Sequence, residues 1–468
     1  MRLMHSFMRR MLLSSVLVCL ALPMLHAQSL VADLKAPVER GMGEWEIWGN
    51  QRSNALSSGT IHTFTEGGFL SRNFFQDALA LHPALGGMGV DVGWSKRWTT
   101  RPLGEGSWAL TGSFGSEVLV SSLWRKELIE LAFLGNAGHT GRVDLLNGTG
   151  VRAGAFNRFS LGMENTQTRQ RLELSLVQRM AGAEWGIPNG SFWVSEGADS
   201  MQVNVLSYAL ASLDELPDTS GLAWNQILPA YGVGISGALP LTSEMWPLQF
   251  HVDFRDIGIL FEPAGGMVAF VDTGISTTGL SVPLTSYIDD GMDNGPGLTW
   301  QNVVDGNTGY QLDSILLVSD SASSRMMMLP SRVQAALTWW PSPDVQIRAK
   351  VRAGSWMPSS EYTLGVGWIP GKRLAFGVDF RTGGWGGPRP VTWLKLRVSK
   401  KRILSLEVDD PAGWFWGQEV AANTYGRGVR FSLQRLPGAG WSRFMGLPSR
   451  DLRKPLPQVA PVAPTTGS

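Results

Sequence analysis

Eight basic side chains late in the chain, Arg348, Lys350, Arg352, Arg373, Arg381, Lys395, Arg397 and Arg430, fall on one phase of segments that alternate apolar and polar residues. Only Asp379 and Glu407 share that phase with them. Successive residues of a strand point to opposite faces, so these charges would gather on one surface with a large positive excess. Rings of fixed positive charge select anions when they line a pore. The competing expectation is pairing, because unpaired like charges are costly to bury. An acidic run, Asp289-Asp290-Gly291-Met292-Asp293-Asn294, sits in a long insertion that could enter a lumen as a plug. Pairing is the preferred reading. The eight residues are the candidate site, as anion contacts or as plug contacts.

Other chemistry finds little support. Gly232-Val233-Gly234-Ile235-Ser236-Gly237 matches a dinucleotide fingerprint by letter, but Tyr231, Val233 and Ile235 continue as a strand where a helix should begin. Inward-facing glycines explain it better. The histidines left after a leader is removed, His62, His82, His139 and His251, have no metal-pair spacing. The acidic run could offer oxygen ligands to calcium, yet the EF-hand spacing is absent and a solvated loop is favoured. No Gly-x-Ser-x-Gly or His-Glu-x-x-His occurs. The expectation is a non-enzymatic protein with no cofactor and no metal.

The elements that must position these charges are strands. Between Val333 and Leu436, seven segments alternate with period two, as in Val345, Ile347, Ala349 and Val351 against Gln346, Arg348, Lys350 and Arg352. Tight connections (Pro341 to Asp344, Pro370 to Lys372, Lys400-Lys401) alternate with longer aromatic ones (Gly354 to Ser360, Gly383 to Pro390, Asp409 to Tyr425). Short turns at one end and long loops at the other are the pattern of a transmembrane barrel. Further strands are expected around Val90 to Trp94, Trp108 to Phe114, Ala153 to Met163, Leu172 to Met180, Met201 to Ala209, Tyr231 to Leu239, Leu248 to Leu260 and Met267 to Asp272. A helix is expected over Leu123 to Leu134, stopped by Gly135-Asn136. The count is fifteen with weak strands included. An even number is required, so the expected fold is all-β, an antiparallel transmembrane barrel of about 14 strands (14 to 16), with one short helix and a long insertion. Trp339 and Trp368 mark one aromatic level, and Trp356, Trp385, Trp414 and Trp416 the other. Short turns facing the periplasm place the insertion outside the cell or inside the lumen.

Residues 1–27 read as a secretory signal, with Arg2, Arg9 and Arg10 before an apolar run and Ala27 at the cut. Its removal takes away Cys19, the only cysteine, and so excludes disulfides and thiol chemistry. It also leaves 37 basic against 39 acidic residues, which implies no nucleic-acid partner. Charged residues at 17% are sparse, while 56 Gly and 20 Trp suit a barrel; 6 Tyr is low for an aromatic belt. The organisation read is an irregular segment 28–85, a barrel over 86–447 with an insertion at 274–331, and a Pro-rich tail 448–468.

Three short elements carry a resemblance. Ala78-Leu79-Ala80-Leu81-His82-Pro83-Ala84 resembles the Asn-Pro-Ala element near the start of PorV-like and FadL-like barrels, with His82 in place of Asn. Leu128 to Gly141 and Val252 to Phe261 resemble two elements of a Bacteroidota outer-membrane family of unknown function, DUF 5723 type. The resemblance implies a barrel of the cell outer membrane. It implies no defined substrate and no catalytic residues. The function expected is solute passage, or service as an accessory to secretion or envelope assembly. Membrane lipid is the expected partner, joined by a secretion or envelope protein in the accessory case. The alternative is a soluble secreted β-rich protein that binds glycans through Trp-rich loops.

Overall fold

The segment Glu361–Trp368 shows what period two becomes in three dimensions. Glu361, Thr363, Gly365 and Gly367 are buried, while Tyr362, Leu364, Val366 and Trp368 are exposed. The exposed face is the apolar one, as a wall solvated by lipid requires. The computed structural model describes residues 42–61, 75–76, 79–80, 82–103, 106–212, 228–242, 247–278, 316–319, 323–342, 344–370, 373–399, 402–411 and 424–435. The signal, His62, the acidic run Asp289 to Asn294, Trp414, Trp416 and the tail lie outside the described residues.

The strands are β1 (Met42–Ser53), β2 (Leu85–Pro102), β3 (Trp108–Arg125), β4 (Val143–Leu145), β5 (Thr149–Asn165), β6 (Arg171–Val194), β7 (Ser200–Ala211), β8 (Ala230–Thr242), β9 (Leu248–Glu262) and β10 (Met267–Thr278). They continue as β11 (Leu316–Ser319), β12 (Arg325–Met328), β13 (Arg332–Ser342), β14 (Val345–Gly354), β15 (Glu361–Trp368), β16 (Leu374–Gly383), β17 (Gly386–Ser399), β18 (Arg402–Asp409) and β19 (Gly426–Arg435). Fourteen of them close an antiparallel ring. Its order is β1, β2, β3, β5, β6, β8, β9 and then β13 through β19. The ring closes where β1 pairs with β19, Trp48 opposite Arg430. A closed ring leaves no unpaired edge in lipid.

β1 lies inside the stretch read from sequence as irregular, so the wall starts at Met42 and not at residue 86. Its Asn, Gly and Ser content hides a sound alternation: Trp48, Asn50 and Arg52 are buried, and Trp45 and Ile47 face out. The helix, α1, spans Lys126–Leu134; the expected first turn, Leu123 to Arg125, instead ends β3. β11 and β12 both fall within the expected insertion.

β6 has 24 residues and outgrows the ring. It pairs with β8 along Arg171 to Arg179 and with β7 along Ala183 to Val194. β7 then carries β10, and β10 carries β11, at the long-loop end. The turns after β2, β5, β8, β13, β15 and β17 share the opposite, short-turn end, as do the start of β1 and the end of β19.

Candidate functional site: a lumen closed in two layers

The upper layer of the lumen, toward the long loops, is apolar. Inward side chains of the wall, Leu119, Phe156, Val177, Ala230 and Leu260, meet three residues brought in by loops, Leu329, Trp356 and Trp385. The sequence reading put Trp356 and Trp385 in the outer aromatic belt. They point inward, 7% and 3% exposed, whereas Trp339 and Trp368 at the short-turn end do face out. Loop backbone decides this. Gly383 and Gly384 have φ of 85° and 67°, values that favour glycine, and the tight β16–β17 turn they permit drives Trp385 into the barrel. Gly89 on β2 makes room, since a Cβ there would lie 2.2 Å from the Trp385 ring. The indole Nε1 donates to Ser121 Oγ at 2.9 Å. Trp356 meets Phe156 edge-on, with centroids 5.6 Å apart. Ser355 Oγ donates to the Leu329 carbonyl at 2.8 Å, which joins two of the inward loops. Gly232 and Gly234 of the fingerprint-like run lie in β8, where a Cβ on either would sit 3.0 Å from Leu329.

Beneath it lies a layer of ion pairs. Glu117 accepts from Arg158 Nη1 at 2.7 Å and from Arg332 at 3.0 Å, and Arg255 approaches it to 3.1 Å. Arg158 also reaches Asp256 at 2.5 Å, and Arg332 reaches Asp91 at 3.1 Å. Arg255 and Asp256 are consecutive, yet both face inward. A bulge with Asp256 at φ 53°, beside a register shift between β8 and β9, turns both toward the lumen. Two adjacent charges interrupting an apolar strand were the sequence signal for it. A second group continues the layer along β14 to β18 and β1. Arg52 and Arg381 share Asp409 at 2.7 and 3.0 Å, and Arg389 and Arg352 share Glu361 at 2.6 and 3.3 Å. Guanidinium–carboxylate contacts of this kind satisfy charges that could not otherwise remain buried.

Below both layers the lumen is wetter. The pairs Arg430–Glu46 (3.4 Å) and Arg97–Glu44 (3.7 Å) keep about a quarter to a third of their side-chain surface, against 0% for Arg389.

Of the eight predicted basic residues, Arg348, Lys350, Arg352, Arg381, Lys395 and Arg430 line the lumen wall, while Arg373 and Arg397 stand at the short-turn rim. Arg348 pairs with Asp379 at 2.5 Å and Arg381 with Glu407 at 2.7 Å. The remaining partners, Glu46, Glu361 and Asp409, come from the barrel wall itself. Sequence reasoning missed them: Glu361 and Asp409 sit at strand ends, and Glu46 lies in the segment 28–85, which has no clean period in the sequence. The acidic run proposed as the partner lies outside the described residues.

The histidines are structural ties. His82 accepts from Trp124 Nε1 at 2.7 Å and lies 2.6 Å from the Pro83 carbonyl through Nδ1; burial holds its imidazole below the ordinary histidine value. His139 meets Asp144 at 2.5 Å and His251 meets Asp253 at 2.7 Å. No cluster able to hold a metal occurs among the described residues.

No protein-family model matches the chain, and no curated protein matches it. The resemblance to the DUF 5723 type therefore rests on its two motifs. Several solved structures are similar at low identity. A TodX monoaromatic hydrocarbon channel mutant is 8% identical over 87% of this chain and 92% of its own, with TM-score 0.37. A Pseudomonas aeruginosa FadL homologue is 9% identical over 87% and 91%, with TM-score 0.35. The P. putida toluene transporter TodX is 9% identical over 86% and 91%, with TM-score 0.32.

Proposed function

We propose that this protein is a gated solute channel of the outer membrane, closed in the state described and opened by movement of its inward loops. The observation that carries the reading is the origin of the closure. Leu329, Trp356 and Trp385 come from connections and not from ring strands, so they can leave the lumen with the strand pairing of the ring intact, giving up only the bonds from Leu329 N–H to the Gly258 carbonyl and from Trp385 Nε1 to Ser121 Oγ. Loop closures of this kind are common devices for gating. Leu329 lies three residues before Arg332, the first residue of β13, so movement of Leu329 would pull on the strand end that carries part of the ion-pair layer.

The solute class follows from a cavity of about 280 Å³ at the long-loop end, against the outer side of the gate. Its walls include Trp185, Ile187, Trp356, Met357 and Pro358, with the linked polar set Arg152, Glu184 and Tyr208 at one side. A wall of apolar rings mixed with convergent polar groups suits a small, weakly polar molecule.

Planar-bilayer recording tests the channel reading. The intact protein should be nearly silent, and the variant Trp356→Ala/Trp385→Ala should conduct. A folded double variant that stays silent overturns the channel and favours the accessory role, in which the barrel is a filled docking body.

A further inference from the structure

We propose that Arg402, Arg435 and Lys96, on the outer face of the barrel where β1 closes the ring, bind the phosphate headgroup of an anionic phospholipid in the leaflet at the short-turn end. The inference rests on the reading of this barrel as a membrane protein and is independent of whether it conducts.

Two like charges face one another at its centre. Arg402 on β18 stands directly opposite Arg435 on β19, and Arg435 stands opposite Gly43 of β1. Residues paired in this way are about 5 Å apart, and like charges so placed repel. Ile403 and Ser432, of the opposite phase on these strands, are buried, whereas both arginines are exposed on the outward face. Lys96 of β2 lies on the same face, opposite Trp45 of β1, and is also exposed. The side chains of Arg402, Arg435 and Lys96 make no ion pair or hydrogen bond with the described residues. Glu44 and Glu46 of β1 belong to the lumen phase, where Gln434 donates to Glu44 at 2.5 Å and Arg430 lies 3.4 Å from Glu46. Three positive charges thus share one outward patch without an acidic counterpart among the described residues.

The surroundings suit a lipid headgroup. Trp98 stands opposite Gly43 and covers Gly112, where an added Cβ would come within 2.5 Å of its ring. Gly43 itself is open, since a Cβ there would meet only the Arg97 carbonyl oxygen, at 3.9 Å. The glycine therefore leaves a gap in the outer surface between Arg435 and Trp98. Two residues further up each strand, Leu404, Leu433, Trp45 and Lys96 are consecutive cross-strand neighbours. Indole rings favour the headgroup level of a bilayer. The guanidinium fork matches phosphate oxygens, and the long apolar stem of a lysine lets its ammonium reach along the wall. A phosphate seated over Gly43 would relieve the repulsion between the arginines, while its acyl chains lay on the apolar wall that Leu433 and Trp45 begin. A free phosphate gains nothing from that wall, so a lipid is the occupant.

The test is native mass spectrometry of the full chain in detergent, titrated with phosphatidylglycerol or with phosphatidylcholine of the same acyl chains. The wild type should hold phosphatidylglycerol at least about tenfold more tightly, since each basic residue at an anionic lipid surface adds a several-fold gain. Arg402→Gln/Arg435→Gln should bring the two lipids to similar affinity, and Lys96→Met alone should weaken the preference several-fold. Arg402→Lys/Arg435→Lys should keep most of it, and Lys126→Met at the long-loop end should leave it unchanged. Compact mobility of unheated samples on SDS gels shows that each variant has folded. Equal retention of the two lipids by the wild type, or an undiminished preference in the glutamine pair, overturns the site. Displacement of phosphatidylglycerol by excess inorganic phosphate overturns the lipid assignment, because the headgroup charge alone would then suffice. A chain that stays in solution without detergent would sink the membrane reading itself, whereas a gate that never opens would sink only the channel.

Discussion

Trp385 Nε1 and Ser121 Oγ meet at 2.9 Å across the lumen, 264 residues apart in the chain. The bond ties the β16–β17 turn to the far wall at β3, and among the described residues it is the one polar side-chain contact of Trp385 within an apolar layer. A buried neutral hydrogen bond contributes about 1 kcal/mol. Ser121→Ala should therefore cost little stability and yet raise the frequency of brief openings in single-channel records. Openings no more frequent than in the wild type would separate this bond from the gate.

The lipid face offers a second check. Leu364 stands between Tyr362 and Trp368 on the exposed side of β15. Leu364→Arg should lower folding stability in bilayers by about 2–4 kcal/mol if it lies near the midplane. Phe376, only two residues from the short-turn end of β16, should tolerate Arg better. Urea titrations in lipid vesicles measure both. Equal costs at the two positions would misplace the membrane band.

Inward glycines predict the opposite sensitivity. A Cβ at Gly365 would stand 2.0 Å from Asp379 Oδ1, the carboxylate that Arg348 holds. Gly365→Ala should destabilise the barrel by about 1–3 kcal/mol through overpacking. The readout is the temperature at which unheated samples lose their compact mobility on SDS gels. Gly377→Arg would be worse still, because Gly377 lies under Trp393 and beside the Val366 carbonyl. A low yield for that variant reports close packing and leaves the face assignment intact.

A pH dependence follows from His82. Its Nε2 accepts from Trp124, so the neutral ring is the form that fits, and burial lowers its proton affinity. The unfolded chain then binds the proton more readily than the native one. Stability from this group is fully present above the ordinary value of about 6.5 and is lost as pH falls through that value toward the lowered native one. Thermal midpoints of the wild type should fall with acidification across this window, and those of His82→Gln should fall less. Parallel curves would remove His82 from the pH response.

How much was legible in the sequence depends on which interactions are local. Alternation along β14, β15 and β16 determines by itself which residues share a face, because consecutive side chains must diverge. Alternation therefore assigns Arg348, Lys350 and Arg381 to one face, and short turns against long loops imply a barrel. The partners of those charges were not legible. Period two assigns a residue to a face and says nothing about what stands next to it there. Arg52 finds Asp409, 357 positions along the chain, only because β1 closes the ring against β19. The inward turn of Trp385 was equally hidden, since a loop side chain follows backbone dihedrals, set here by the adjacent Gly383, and available space, which Gly89 supplies from a distant part of the chain. The bulge at Asp256 broke the very periodicity on which the reading relied. Sequence determined the wall and its two faces; ring closure, loop conformation and one bulge decided what fills the lumen, because those depend on contacts between residues far apart in the chain.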